Sequence, residues 1–283
     1  MVNKITLRNS VKIIDDKYVI KKKKNDLSNT YNYLLSRSFD YFPSVINEDS
    51  DKYYYQYIKD IYEPSEQKII DLINLVSLLH NKTTFYKEVD IDNYKYLYES
   101  ITDQIEDTYN YYNILMDNID NDIYMSPSNY LIARNISIIY NALGYAKESI
   151  DTWYKMIENN RRVRLAMIHN NLKLEHYLKN DKSYLISWDK ASNDIPVFDL
   201  VSLYKNHYLD FDFINLFKIY LSKYPLSNDE MILFLTIISI PDKIEDNHSE
   251  YKRVLMIRRM IDYIYKSSEI VLEFDRNQGQ NKV

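Results

Sequence analysis

Two glycines in 283 residues, Gly144 and Gly279, set the firmest limit on what this chain can build. A loop that cradles phosphate needs several glycines, so that backbone N–H groups can approach the oxygens without side chains in the way. Neither a Walker loop, a Rossmann fingerprint nor a glycine-rich kinase loop can be assembled from this sequence. Cysteine is absent, which excludes disulfides, thiol catalysis and cysteine-based zinc sites. The five histidines show no metal-ligand spacing such as H-E-x-x-H.

The chain is long enough for one large domain or two lobes sharing a core. Its 46% hydrophobic and 27% charged residues are those of a globular protein and argue against disorder. A net charge of -5 gives no reason to expect nucleic acid or an anionic membrane as partner. The thirty tyrosines, with heavy use of Asn, Lys and Ile, read as codon drift in an AT-rich genome. MVNKITLRNS lacks the apolar core of a signal peptide. The longest apolar run, MILFLTIISI at 231–240, is about half the length that crosses a bilayer. These features predict a buried helix there, no transmembrane segment and a cytoplasmic protein.

Along the chain, ITL, VKII and YVIKK within 4–24 read as short strands, with a turn at Asp15–Lys17. Residues 26–39 carry Tyr31, Leu34, Leu35 and Phe39 at helical spacing. FPSVI and KYYYQYI at 42–46 and 52–58 are strand-like. From Pro64, placed in a first helical turn, the pattern is mainly helical. IIDLINLVSLL at 69–79 is apolar on nearly every side and predicts a buried helix. Residues 91–119 carry a stripe of Tyr94, Leu97, Ile101, Ile105, Tyr109 and Tyr112. Ser126–Pro127 starts another helix, which Gly144 is expected to break or bend. A strand (VRLAMI), a loop and a hairpin turning at Asn180–Lys182 follow, then four helical segments over 196–275 and a polar tail from about 275.

Three segments carry a resemblance: IHNNLKLEHYL at 168–178, YLISWDKA at 184–191 and PVFDL at 196–200. In order and spacing they resemble the core of the kinase-like small-molecule phosphotransferases, which include aminoglycoside phosphotransferases and choline kinases. That core reads H-G-D-x-x-x-x-N, then D-W-[DE]-x-A, then P-x-x-D-L. LLHNKT at 78–83 is similar to the segment closing the first large-lobe helix in such families. The resemblance covers roughly residues 4–220. It implies an α+β, protein-kinase-like two-lobed fold, with a small mixed sheet N-lobe over 1–60 and a larger, mainly helical C-lobe over 61–283. In its narrower form it points to the CotS/YutH spore-coat group, which implies protein partners and placement on a spore surface.

The resemblance also implies site roles, and the reactive groups differ at each. His169 holds the place of the motif histidine, but Asn171 stands where the base aspartate belongs. His176 takes the place of the metal-binding asparagine and Ser187 that of the metal-binding aspartate. An amide cannot accept the substrate proton, and losing a positioned base costs about 10²–10⁴-fold. Magnesium prefers oxygen to nitrogen ligands. Asp189 is a possible substitute carboxylate: on a strand, alternate residues share a face, which would place it beside Ser187. The family pattern already has an acid there, so a structural role is the plainer reading.

Lys21 in YVIK resembles the lysine that contacts nucleotide phosphates, with Val19 on the same face. Equally, Lys21–Lys24 reads as a solvated strand end, and 26–39 has no glutamate to hold the lysine; Asp26 sits too early. His80 reads as a core histidine. Arg161, Arg162 and Arg164 read as a solvated patch, or as an anion or acidic-partner site. Asp199–Leu200 reads as a structural contact under the motif loop. The resulting expectation is a pseudokinase acting as a structural or interaction module, with no functional catalytic or metal residues and no cofactor. The alternative is a small-molecule phosphotransferase using ATP and magnesium through unorthodox groups.

Overall fold

Short runs of β-branched and aromatic residues form the first strands, β1 (Ile5–Arg8), β2 (Val11–Ile14) and β3 (Tyr18–Lys22). Asp15 and Asp16 turn the chain between β2 and β3 at φ 50° and 52°, a left-handed geometry that aspartate tolerates better than most residues. Helix α1 (Ser28–Ser36), β4 (Val45–Glu48) and β5 (Lys52–Gln56) follow. The strands make one sheet in the order β1-β2-β3-β5-β4, every adjacent pair antiparallel. Lys21 lies opposite Tyr53 and Val19 opposite Tyr55. Beneath the sheet, Tyr31 of α1 stacks on Phe42 at 4.7 Å between centroids and meets Tyr55 edge-on. The structure, a computed structural model, describes residues 5–8, 11–88, 90–158, 160–244 and 249–280, with side chains over 11–88, 90–158, 160–244 and 249–275.

Helix α2 spans Ser65–Thr83, with Pro64 one residue ahead of it in extended geometry rather than inside its first turn. It is deeply buried at Leu72, Ile73, Val76 and Leu79. After β6 (Phe85–Glu88) come α3 (Ile91–Asn121) and α4 (Pro127–Ile157). Asp90 caps α3, accepting from Asn93 N at 3.4 Å, and Ser126 caps α4, accepting from Asn129 N at 3.2 Å. The chain continues through β7 (Arg162–Ile168), β8 (Tyr177–Lys179), β9 (Ser183–Leu185) and β10 (Ser192–Asp194). Strands β8 and β9 form the expected hairpin. The short strands β6 and β10 were not legible in the sequence; β10 pairs with β7, Asp194 opposite Ala166. Helices α5 (Val197–His207), α6 (Phe213–Lys223), α7 (Asn228–Ser239) and α8 (Glu250–Gln280) complete the chain.

This is the two-lobed architecture of the protein kinases, a small lobe of mixed strand and helix and a larger helical lobe. By contacts, the chain forms two compact units. One comprises Met1–Phe85, Leu165–Leu203 and Leu216–Pro225, and holds the five-stranded sheet, α2 and the whole motif region. The other, Tyr86–Arg164, Tyr204–Asn215 and Leu226–Val283, is helical, with α4 packed against α3, α7 and α8. In it Trp153 is almost fully buried and lies 6.0 Å from Tyr94, centroid to centroid. The apolar run in α7 buries Leu233, Phe234, Leu235 and Ile238. Among the described residues no helix is long and apolar enough to cross a membrane.

Further expectations need correction. Helix α4 runs unbroken through Gly144, because flanking apolar residues Leu143 and Ala146 are packed and hold the turn. Helix α8 continues through Gly279 to Gln280 rather than ending near 275, because one glycine costs a helix only about 1 kcal/mol and no proline interrupts it; residues 281–283 lie outside the described ones. Tyr109 is 45% exposed, off the buried stripe of α3, which passes instead through Thr108 and Tyr112. Arg164 is not a solvated charge: its Nε donates to Glu230 Oε1 at 2.9 Å and its Nη2 to Oε2. Arg161 and Arg162 are exposed.

A Cβ built on Gly144 would meet nothing within 4 Å. Glycine there carries only its entropic penalty, so Gly144→Ala should raise the unfolding free energy by about 0.5–1 kcal/mol. Urea unfolding with an unchanged m-value would register it.

Candidate functional site

The motif loop follows β7, and its shape is set from below by one carboxylate. Asp199, in the first turn of α5, is fully buried. It accepts from His169 N at 2.8 Å and Asn170 N at 2.7 Å. His80, also fully buried at the end of α2, reaches the same carboxylate from Nε2 at 3.2 Å, and its Nδ1 lies 2.7 Å from the Tyr220 hydroxyl. That network assigns Nε2–H as donor to Asp199 and Nδ1 as acceptor from Tyr220. His80 is thus a satisfied core histidine, and Asp199 is the structural contact expected under the loop.

Asn170 takes the glycine place of the motif at φ 55°. Asparagine is the non-glycine residue best suited to this left-handed geometry, so the loop keeps its course without glycine. Asn171 follows, half-buried. Its carbonyl accepts from His176 Nδ1 at 2.7 Å, which places the His176 proton on Nδ1 and leaves Nε2 with its lone pair. The His169 Nε2–H donates to the Ile186 carbonyl at 2.8 Å; its Nδ1 is buried with no hydrogen-bond partner. Burial lowers the pKa of both imidazoles below the usual histidine value, and nearby Lys21 pushes each in the same direction.

Ser187 and Asp189 do not share a strand face, contrary to the spacing argument. Strand β9 ends at Leu185, and Ser187 turns the chain in the left-handed region at φ 69°. A 3-10 turn, Trp188–Lys190, follows. The turn is anchored by Trp188, whose Nε1 donates to Leu185 O at 2.9 Å. Its ring packs edge-on against Phe39, Phe42 and His169 at 6.1, 6.2 and 5.0 Å. Reversing at Ser187 and burying Trp188 turns Asp189 back toward β3, where it forms an ion pair with Lys21. The two side chains are 19% and 15% exposed, and Asn25 Nδ2 donates to the Asp189 carbonyl at 2.9 Å.

Lys21 is therefore not a solvated strand end. Within the lysine run, Lys23 pairs with Glu48 at 2.9 Å, while Lys22 and Lys24 are exposed. Asp26 serves Ser28 N and the Tyr53 hydroxyl, at 2.9 and 3.2 Å. The fold thus brings Lys21, Asp189, His169 and His176 to one place, with Ser187 and Asn171 on the flanking turns. Sequence reasoning missed the aromatic anchor of Trp188 and the left-handed turn at Ser187; only the tryptophan left a sequence trace, in the W of SWDKA.

Magnesium binds oxygen, usually one or two carboxylates with phosphate and water. At the three family positions the side chains are an amide, an imidazole and a hydroxyl, and the Asp189 carboxylate faces an ammonium group. Among the described residues no three His, Asp or Glu side chains converge as a metal-binding group. This donor set does not fit magnesium.

Both histidines have folded-state pKa values below 6.5. The unfolded chain therefore binds more protons in the window just below pH 6.5, and stability falls as pH drops through the folded values. The unfolding temperature should be flat from about pH 8 to 7 and decline below about 6.5. His176→Gln should flatten that slope.

The sequence matches no protein-family model and no curated protein. Among solved structures, it is similar to an aminoglycoside phosphotransferase from Alicyclobacillus acidocaldarius subsp. acidocaldarius, at 8% identity and a TM-score of 0.70, over 97% of this chain and 92% of that one. A glucosamine kinase gives a TM-score of 0.55 at 9% identity, over 98% and 78%. A spectinomycin phosphotransferase in an AMP-bound complex gives 0.54 at 12%, over 91% and 90%. At these identities the likeness establishes the fold.

Proposed function

We propose that this chain is a pseudokinase: a protein with the fold of the aminoglycoside phosphotransferases that works as a structural or interaction module without transferring phosphate. The ion pair between Lys21 and Asp189 carries the reading. The site's carboxylate and its lysine satisfy each other, while Asn171, His176 and Ser187 supply neither a base carboxylate nor a magnesium ligand of the expected kind. Phosphoryl transfer is mostly positioning and charge neutralisation by metal and base, so all three differences weaken the same transition state. Protein partners, and placement on a spore surface, are proposals that rest on the narrower CotS/YutH resemblance alone.

A second reading has its own support. The solved structures sharing this fold include an aminoglycoside phosphotransferase, a spectinomycin phosphotransferase and a glucosamine kinase, and Lys21 meets an acid at the motif turn. On that reading Asp189 would be the one carboxylate available to a metal and Lys21 the cation available to phosphate, and His176, with its proton on Nδ1, would offer Nε2 as a base.

Calorimetry with magnesium-ATP separates the two. The pseudokinase reading expects no heat of binding and no thermal stabilisation, where ligand at 100 times its dissociation constant would add about 2.7 kcal/mol. Saturable binding weakened by Lys21→Ala would favour the second reading.

A further inference from the structure

A pocket of about 370 Å³ opens along α2, away from the Lys21–Asp189 cluster. Its floor is one helix face, with Asp71, Asn74, Leu75, Leu78 and Asn81 at spacings of three and four residues. Tyr41, Ser183 of β9 and Lys223 at the end of α6 complete the wall. All of these residues belong to the same compact unit. The size is at the lower end of the range for small-molecule pockets, about 300–1,000 Å³.

The polar groups are fixed in place and share out donors and acceptors. Asn74 Oδ1 accepts from Lys223 Nζ at 2.6 Å, which leaves the Asn74 amide N–H groups as donors. Asn81 Nδ2 donates to the Lys223 carbonyl at 3.4 Å, which leaves its Oδ1 as an acceptor. The Ser183 hydroxyl lies 2.8 Å from the Tyr177 hydroxyl. Asp71 is neutralised by Lys179 at 2.8 Å and also held by Gln67 at 2.8 Å, with lone pairs to spare.

Neither charge in the lining singles out an ionic ligand: the Asp71 carboxylate is already paired with Lys179, and the Lys223 ammonium is exposed to water and donates to Asn74. Leu75, Leu78 and the Tyr41 ring add apolar surface beside the amides. A ligand that both donates and accepts through several hydroxyls and carries an apolar C–H face matches this lining. We propose that the α2 pocket binds a neutral sugar, of one or two pyranose rings. The proposal stands on the pocket's own chemistry and is independent of whether the Lys21–Asp189 site handles phosphate.

The test is titration of the whole chain with glucose, galactose, N-acetylglucosamine, maltose and trehalose, followed by saturation-transfer NMR. Sodium phosphate and spermidine serve as charged controls at matched ionic strength. At least one sugar should bind saturably. Tyr41→Ala and Asn81→Leu should each weaken it at least about tenfold, or 1.4 kcal/mol, with the unfolding temperature retained. Asn81 is exposed on the helix, so Asn81→Leu carries the test if Tyr41→Ala fails to fold. The proposal is overturned if no sugar binds up to about 50 mM, a concentration that would half-saturate a site worth under 2 kcal/mol. It is equally overturned if binding ignores both substitutions, or if phosphate or spermidine displaces the sugar from the pocket.

Discussion

Asp199→Ala should lower the unfolding free energy by about 3–5 kcal/mol, a loss at the upper end of what single substitutions do. The carboxylate is fully buried and holds two loop amides, His169 N and Asn170 N, together with the imidazole of His80. Removing it leaves three donors without their acceptor, each hydrogen bond to a charged group being worth about 1.5–3 kcal/mol. Relaxation of the loop recovers part of that sum. Asp199→Asn keeps one carbonyl oxygen and should cost about half as much. Urea unfolding followed by the fluorescence of Trp188, in a Trp153→Phe background, reads the unit that contains the loop. A loss below about 1 kcal/mol would mean that the loop is held chiefly by its other contacts.

Glu230→Ala should be nearly as damaging to the helical unit, by about 3–4 kcal/mol. Glu230 is 4% exposed and faces two N–H groups of Arg164, itself 18% exposed. Its Oε2 also accepts from Ser227 N at 2.9 Å, at the start of α7. Deleting the acid strips the guanidinium of its carboxylate and removes a helix cap, the latter worth about 1 kcal/mol. The double replacement Arg164→Met with Glu230→Leu should recover most of the loss, because a buried pair replaced by apolar side chains is often neutral. Chemical unfolding of the two single variants and the double variant gives the coupling energy directly. Additive losses would show that the pair is not coupled.

Local signals in the sequence were enough for most elements. Ser126–Pro127 marked the start of α4, aromatic and β-branched enrichment marked β5, and the apolar breadth of 69–79 marked α2 as buried. These depend on neighbouring residues, so a linear reading reaches them. What escaped depends on residues far apart. Arg164 looks like the end of a basic cluster until α7 brings Glu230 to it from 66 positions away. Lys21 looks solvated until the turn 168 positions later supplies Asp189. The left-handed turn at Ser187 has no local signature, since serine neither favours nor announces that geometry; reading the segment as a strand therefore misplaced Asp189. Gly144 carried the opposite error, a local breaker overridden by packing. At the site, His176 lies in the cluster and Asn171 and Ser187 on its flanking turns, but motif spacing did not say which of their neighbours touch.

Turnover of ATP by the wild-type chain tests the central claim most directly. ADP release would be followed in the presence of magnesium and a panel of acceptors, including amino sugars, choline and small alcohols. The account predicts no acceptor-dependent ADP above the buffer rate, and no difference between wild type and Asp189→Asn. Acceptor-dependent turnover that Asp189→Asn abolishes would contradict it and identify the protein as a working phosphotransferase.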